Sequence, residues 1–183
     1  MEDLTDGEVR DAAERLQERV QRLFGHSLHI RHVDAGSCNA CESEIKLLLN
    51  PYYDVQRLGI FFTTSPRHAD LLLVTGPVTR AMEDPLRQTY EAMPDPRLVV
   101  AVGACACSGG IFGSSAFTQG GVGKVLPVDV FIPGCPPSPL TLIPGLLLAL
   151  GRAEQRMHGR IQRVKEDRLL RMFSLGAGEK ERG

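Results

Sequence analysis

Short apolar runs recur along the middle of the chain and alternate with segments of helical pattern. The runs are bounded by Gly, Pro or Asp, as strands are, and they cover residues 28–33, 55–63 with polar interruptions, 71–75, 98–102 and 128–132. Apolar residues at helical spacing lie between or after them, in residues 42–49, 79–93 with an interruption at Pro85, and 140–157. This alternation predicts βαβ units and a mainly parallel sheet.

Runs as apolar as LLLVT and LVVAV are typical of strands that helices cover on both faces. The predicted fold class is therefore α/β, with three layers and a flavodoxin-like arrangement. One α/β domain is expected over residues 25–158.

Both ends of the chain differ from this middle part. Residues 1–24 place apolar side chains on one helical face, with Thr5 and Glu8 as a capping box, and predict an amphipathic helix. Residues 159–183 are rich in Arg, Lys and Glu. They predict a charged tail, a solvated helix that frays at its end.

Charge, cysteine count and the length of the apolar stretches narrow the classes of function that are expected for the chain. The 183 residues include 21 basic and 22 acidic side chains, so no nucleic-acid partner is expected. Five cysteines without an apolar leader indicate reduced, cytosolic thiols. The longest apolar stretch, residues 140–151, is too short to span a bilayer and contains Pro144. If the protein works at a membrane, other subunits must hold it there.

Four of the five cysteines follow predicted strands. Cys38 and Cys41 form a CxxC after the first strand, Cys105 follows the fourth, and Cys135 follows the fifth. In open α/β sheets, ligands bind beyond the carboxyl ends of strands. Thiols that converge from several loops suit an iron-sulfur cluster, which would make the chain an electron carrier.

The residues beside these thiols fit that interpretation. Glycines in GACACSGG allow backbone amides to approach bridging sulfides, and the prolines in IPGCPP stiffen the loop of Cys135. A helix that begins near the CxxC is expected to favour thiolate over thiol.

Other interpretations of the thiols remain open from the residues alone. Structural zinc sites usually combine two close cysteine pairs, whereas Cys135 stands alone. A thioredoxin-like CxxC would leave GACAC and PGCPP unexplained. Burial as a small apolar side chain is the preferred interpretation of Cys107.

Four motifs in order, DAGSCNACESEI, SPRHADLLLVTGPVTRAM, AVGACACSGGIFG and PVDVFIPGCPPSP, carry a specific likeness. Over about residues 28–152 the chain resembles the small, cluster-bearing subunit shared by energy-converting NiFe hydrogenases and respiratory complex I. The complex I subunit is expected to have two adjacent cysteines in the first motif. The CxxCE form here, and His68 where complex I usually has Gln, are more similar to hydrogenases of the formate hydrogenlyase type.

The resemblance implies one proximal 4Fe-4S cluster on Cys38, Cys41, Cys105 and Cys135, with Cys107 on a variable position of the motif. It also implies one-electron transfer to or from the NiFe centre of a large partner subunit. The implied assembly adds ferredoxin-like and membrane subunits, and it holds the chain peripherally on the cytoplasmic side of the membrane. The chain alone would not be catalytic.

Three further residues are second-tier candidates. Two roles of Glu42 remain open. It relays protons or shapes the site between subunits, or it caps the following helix. Arg67 and His68 would raise the cluster potential if they lie nearby, or else solvate a turn. Asp34 and Asp70 are expected to be structural.

Two alternative functions remain. One is a complex I-like quinone oxidoreductase whose large subunit lacks nickel, and the other is a zinc-stabilised or redox-sensing module without enzymatic activity.

Overall fold

The computed structural model describes residues 18, 20, 22 and 25–155, and it contains a sheet of five parallel strands. The strands are β1 (Leu28–Asp34), β2 (Ile60–Phe62), β3 (Leu71–Thr75), β4 (Leu98–Val102) and β5 (Val130–Ile132). Their order across the sheet is β2-β1-β3-β4-β5. This is the flavodoxin-like order, so the predicted fold class is confirmed.

Helices cover both faces of the sheet. They are α1 (Ala40–Leu47), α2 (Arg80–Glu91), the short α3 (Gly103–Ser108) and α4 over residues 139–155. One apolar cluster joins alternate strand residues such as Leu71 and Leu73 to α1 and α4. The other joins the intervening residues, such as Leu72 and Val74, to α2 and α3. Because successive strand side chains point to opposite faces, one apolar run supplies both cores.

The strand register aligns four strand ends in one row. Asp34 of β1 pairs with Thr75 of β3, Thr75 pairs with Val102 of β4, and Val102 pairs with Ile132 of β5. The loops that follow these strands therefore leave from one edge of the sheet. β2 pairs only with the beginning of β1, Leu28 to Ile30, so it ends well short of that row.

Two local predictions were wrong. Residues 55–63 do not form one strand, because Val55–Leu58 is a 3-10 turn and only Ile60–Phe62 joins the sheet. Pro85 does not interrupt α2, which is continuous from Arg80 to Glu91. The hydrogen bond that proline removes would have reached the carbonyl of Ala81, on the exposed side of the helix, while the adjacent Leu86 is fully buried and anchors the helix.

The predicted helix over residues 1–24 lies outside the described residues except at Glu18, Val20 and Arg22, which are helical. Val20 is buried, and Arg22 forms an ion pair with Glu154 of α4 at 2.9 Å. The predicted tail over residues 159–183 also lies outside them. Within the described part of the chain, no helix combines the length and apolar character needed to cross a membrane.

Candidate functional site: thiols at the carboxyl edge of the sheet

The loop after β1 is shaped by Asp34. Its Oδ1 accepts the backbone N–H groups of Gly36 at 2.9 Å and Ser37 at 2.7 Å, which makes a tight turn. Burial alone would raise the pKa of Asp34, but the hydrogen bonds from Ser37 and Gly36 outweigh it and lower the pKa. The turn delivers Cys38, which is exposed, directly beyond the row of strand ends. The expectation that Asp34 is structural is consistent with these bonds.

Cys41 lies in the first turn of α1 and packs against the start of α3, directly after β4. Its sulfur faces Gly103, where a Cβ atom would lie only 2.5 Å from Cys41 Sγ. Gly103 also has a positive φ of 90°, which favours glycine. Glycine at this position therefore allows the β1 and β4 loops to meet at a thiol.

The loops after β4 and β5 are joined by a backbone hydrogen bond. The N–H of Ala104 donates to the carbonyl of Gly134 at 2.7 Å, which places Cys105 of α3 beside the loop that carries Cys135. Gly110 closes the other side of Cys105, since a Cβ there would lie 2.9 Å from the sulfur. Three sequence-distant loops thus bring four thiols to one edge of the sheet.

The charges of the other thiols contribute to the pKa of Cys41 and to that of Cys105, so these thiols lie near one another. Burial, followed by the charge of Glu42 and then by Cys38, Cys105 and Cys135, raises the pKa of Cys41 to about 11. Burial, followed by Cys135 and Cys38, also raises the pKa of Cys105. The expected preference for thiolate at the start of a helix is not seen at Cys41, where burial is the largest effect on the pKa.

Cys107 is set apart from the other four. Its Sγ lies 3.7 Å from the carbonyl of Ala101 and 3.6 Å from that of Ile132, in orientations that let the thiol donate weakly to both. Burial raises the pKa of Cys107, and the hydrogen bond to Ile132 partly opposes this effect, whereas no other cysteine contributes. The side chain packs between the ends of β4 and β5.

Glu42 is buried beside the thiols and is tied to the sheet. Its Oε1 accepts a short hydrogen bond from the hydroxyl of Thr75, and His32 Nε2 lies 3.0 Å from that hydroxyl and 3.7 Å from Glu42 Oε1. Glu42 Oε2 is buried without a hydrogen-bond partner among the described residues. Burial lowers the pKa of His32, and the charge of Glu42 opposes this effect. The carboxylate faces strand residues, which does not favour the capping role.

Sequence reasoning missed His32, because a histidine within an apolar strand carries no signal of its own. The register brings β1 and β3 side by side, with His32 opposite Leu73 and Asp34 opposite Thr75, and only this pairing creates the contact. A cleft of about 330 Å³ lies against the same group. It is lined by Arg31, His32, Asn39, Glu42, Ile45, Lys46, Leu49, Phe62, Thr63 and Thr64.

Arg67 and His68 lie elsewhere. Both are exposed in the 3-10 turn Pro66–His68, which precedes the amino end of β3. The cysteines follow the carboxyl ends of strands, and the length of β3 separates the two edges by roughly 13 Å at about 3.3 Å per residue. The structure therefore does not bring Arg67 and His68 to the thiols, because β2 is short and its connection to β3 stays near the amino edge.

Exposed apolar side chains follow α3 on the thiol-bearing edge. Ile111 is 93% exposed, Phe112 53% and Phe117 80%. Large apolar side chains that are exposed within one short segment are candidates for an interaction site. We call Ile111, Phe112 and Phe117 the apolar patch.

Comparison with known proteins identifies the family. The profile described as "NADH ubiquinone oxidoreductase, 20 Kd subunit" matches residues 38–149, which include all five cysteines. The chain belongs to this family. It is 44% identical over 150 residues to a probable membrane-bound hydrogenase subunit of Pyrococcus furiosus, covering 80% of this chain and 90% of that one.

Two further relatives support the family assignment. Formate hydrogenlyase subunit 7 of Escherichia coli is 44% identical over 152 residues, which cover 83% of this chain and 60% of that protein. A chain of the membrane-bound sulfane sulfur reductase, an archaeal respiratory membrane complex, superposes with a TM-score of 0.63 at 34% identity over 76% of both chains. These relatives confirm the predicted family and the prediction of a subunit of an oxidoreductase complex.

Proposed function

We propose that this chain binds one 4Fe-4S cluster through Cys38, Cys41, Cys105 and Cys135 and serves as the electron-transfer subunit of a larger oxidoreductase. The observation that carries the proposal is the convergence of three loops, through the Cys41–Gly103 contact and the Ala104–Gly134 hydrogen bond. A bound cluster supplies a one-electron redox couple. The chain's own residues hold it, shield it and orient it toward a partner.

The spacing of the sulfurs is compatible with a cluster. A tetrahedral zinc ion with Zn–S bonds of about 2.3 Å needs sulfurs separated by about 3.8 Å. Among the described residues, which include every cysteine, no three sulfurs lie within 4.8 Å of one another. A cubane holds its thiolates farther apart than a single zinc ion does. The metal content of the purified protein separates the cluster from the zinc-stabilised alternative.

The charge around the sulfurs also supports an iron-sulfur group. Burial raises the pKa of Cys41, and the negative charges of Glu42 and of the other thiols raise it further, so a positively charged centre would favour the thiolate. An iron-sulfur core bound by the thiols would offset part of that negative charge. Glycine backbone at Gly103 and Gly110 leaves room for amides to approach the sulfurs, which tunes the potential.

The large partner subunit is proposed to cover the apolar patch. Ile111, Phe112 and Phe117 are solvent-exposed in the chain by itself, and they follow the helix that carries Cys105. A partner seated there would exclude water from the thiol edge. In the hydrogenase form of the proposal, this partner carries the NiFe centre and exchanges single electrons with the chain. Ferredoxin-like and membrane subunits complete the complex, on the cytoplasmic side of the membrane.

A second candidate is the same electron-transfer role beside a large subunit without nickel. It is favoured by the family description, which names an NADH-ubiquinone oxidoreductase, and by the 34% identical chain of a sulfane sulfur reductase complex. The CxxCE spacing and the 44% identity to a formate hydrogenlyase subunit favour the hydrogenase. Both candidates share the cluster and differ in the partner.

The test is to purify the intact complex anaerobically and to measure metals and spectra. Loss of four irons, four sulfides and one reduced-state electron paramagnetic resonance signal per complex in Cys38→Ser, relative to the wild type, supports the cluster. Zinc in place of iron would refute it. Nickel in the co-purifying large subunit favours the hydrogenase, and its absence favours the second candidate.

The partner surface has its own test. Ile111→Asp combined with Phe117→Asp should abolish co-purification of the large subunit, because buried carboxylates oppose apolar contact. Tyr52→Asp is the matched control, since Tyr52 is 72% exposed and lies outside the patch. Equal co-purification by both variants would contradict the assignment of this surface.

A further inference from the structure

A second group of ligand-type side chains lies at the amino edge of the sheet. His26 precedes β1, His29 lies within β1, and Asp70 directly precedes β3. One ligand atom from each residue lies within 4.8 Å of the others. Among the described residues, no other trio or larger set of His, Cys, Asp and Glu side chains is so close. We call His26, His29 and Asp70 the amino-edge trio.

The distances within the trio leave room for an ion. His26 Nε2 lies 3.9 Å from Asp70 Oδ1, and His29 Nδ1 lies 3.9 Å from Asp70 Oδ2. Both distances are too long for hydrogen bonds. A tetrahedral zinc ion with bonds of about 2.0–2.1 Å separates its ligand atoms by about 3.3 Å. Small side-chain rotations would therefore close the trio around such an ion.

The ligand atoms are already oriented by outer contacts. His26 Nδ1 lies 2.7 Å from the carbonyl of Ser27. Because a carbonyl only accepts, Nδ1 carries the proton and Nε2 keeps its lone pair on the side of Asp70. Asp70 Oδ2 accepts the backbone N–H of His29 at 2.9 Å. The ring of His29 stacks on Phe61, with centroids 6.1 Å apart and planes inclined by 27°.

These contacts are those that accompany metal ligands in proteins. A ligating imidazole usually donates its second N–H to a carbonyl or carboxylate, and a ligating carboxylate is itself hydrogen-bonded. His26 and Asp70 meet these conditions before any ion is bound. The trio is thus preorganised in the positions of its ligand atoms and in the tautomer of one imidazole.

We propose that His26, His29 and Asp70 bind a divalent transition-metal ion of the zinc type. Two imidazoles and one carboxylate suit Zn²⁺ and disfavour Ca²⁺ or Mg²⁺, which prefer oxygen ligands. The side chains are 55%, 38% and 14% exposed in the order His26, His29, Asp70, so water has access to a fourth position. A bound ion would fasten the segment that enters β1 to the segment that enters β3.

The test measures zinc bound to the full-length chain at equilibrium dialysis against micromolar ZnCl₂, under anaerobic conditions. We expect the wild type to bind one zinc ion more per chain than His26→Ala. The affinity of this extra ion should fall at least about 100-fold in the variant, because loss of outer partners alone already costs about 10- to 100-fold. Both proteins have the same thiols and bind the same amount of zinc through them. Thiol-bound zinc therefore does not affect the difference in zinc per chain between the wild type and His26→Ala.

Two further variants test whether the extra zinc ion is bound by the amino-edge trio. Asp70→Asn removes the negative ligand but keeps an acceptor for the N–H of His29, so it should also lose the extra zinc while its circular dichroism spectrum is unchanged. His68→Ala is the matched control, because His68 is an exposed histidine outside the trio, and it should bind zinc like the wild type. Equal zinc binding by wild type and His26→Ala would overturn the proposal, and so would a loss in His68→Ala of the size seen in His26→Ala.

Discussion

The two edges of the sheet carry opposite chemistries on one scaffold. At the carboxyl edge, burial raises the pKa of Cys41 to about 11, and the charges of Glu42 and of the other thiols add to this effect. At the amino edge, His26 and His29 face Asp70, and their charged forms would attract the carboxylate. Soft thiolates suit iron-sulfur clusters, and imidazole with carboxylate suits zinc-type ions.

The difference follows from how each edge is built. Four strand ends in one register bring the thiols together from loops that are distant in sequence, and glycines leave space between them. The trio at the amino edge needs only β1 and the residue before β3. A site that several loops share depends on the whole sheet, whereas a site on two neighbouring segments depends on little more than their pairing. Predictions that disturb the carboxyl edge should therefore have the larger effects.

The largest expected effect comes from removing one ligand. Ser at Cys38, Cys41, Cys105 or Cys135 should each abolish the visible absorption of the cluster and most of the bound iron in anaerobically purified protein. Cys107→Ser should retain both, because its thiol contacts only the carbonyls of Ala101 and Ile132. Loss of iron in Cys107→Ser with retention in Cys105→Ser would reverse the ligand assignment.

The contact between the β1 and β4 loops gives the next largest effect. Gly103→Ala should lower the free energy of unfolding by about 1–3 kcal/mol for the positive φ alone, and the added Cβ must also displace Cys41 Sγ. Iron content and thermal unfolding of the purified protein report both consequences. Gly123→Ala is the control, since its Cβ would meet only the ring of Phe131 at 3.5 Å and 3.8 Å. Similar losses in both variants would exclude a special role for Gly103.

A smaller effect is expected inside the sheet, at the hydroxyl of Thr75. Thr75→Val preserves the side-chain shape but removes the donor to the buried carboxylate of Glu42. The expected cost is about 1–3 kcal/mol of unfolding free energy, as for other buried polar groups left without a partner. Thr141→Val, at an exposed threonine of α4, is the matched control. Denaturant unfolding of both variants measures the difference, and equal stabilities would mean that Thr75 and Glu42 do not depend on each other.

The smallest effect concerns the pH dependence of stability. Burial lowers the pKa of His32 below its ordinary value of 6.5, so the unfolded chain takes up a proton more readily than the folded one. Neutral His32 therefore contributes fully to the free energy of unfolding above about pH 6.5. This contribution is lost as the pH falls below that value. His32→Gln should flatten the decline of the thermal midpoint between neutral and mildly acidic pH. His68→Gln should leave it unchanged, and identical curves for His32→Gln and the wild type would contradict the prediction.

Much of the fold could be predicted because apolar strands and their bounding residues are local signals. The five strands, the helices between them and the parallel order follow from period and alternation. The errors were local too. The segment Val55–Leu58 opens an apolar run with polar interruptions yet forms a 3-10 turn, and Pro85 lies on the exposed side of a helix that Leu86 anchors.

Motifs and periodicity along the chain were enough to predict the family, the α/β class and the positions of four cysteines after strands. They did not predict which side chains meet in the folded protein. The register of β1 and β3 brings Glu42 to Thr75 and His32. The short β2 keeps Arg67 and His68 at the amino edge. The pairing of β1 with the start of β3 brings together the amino-edge trio. The reason is physical: a pattern along the chain fixes which face a residue takes, whereas contacts between distant segments depend on strand pairing and loop closure.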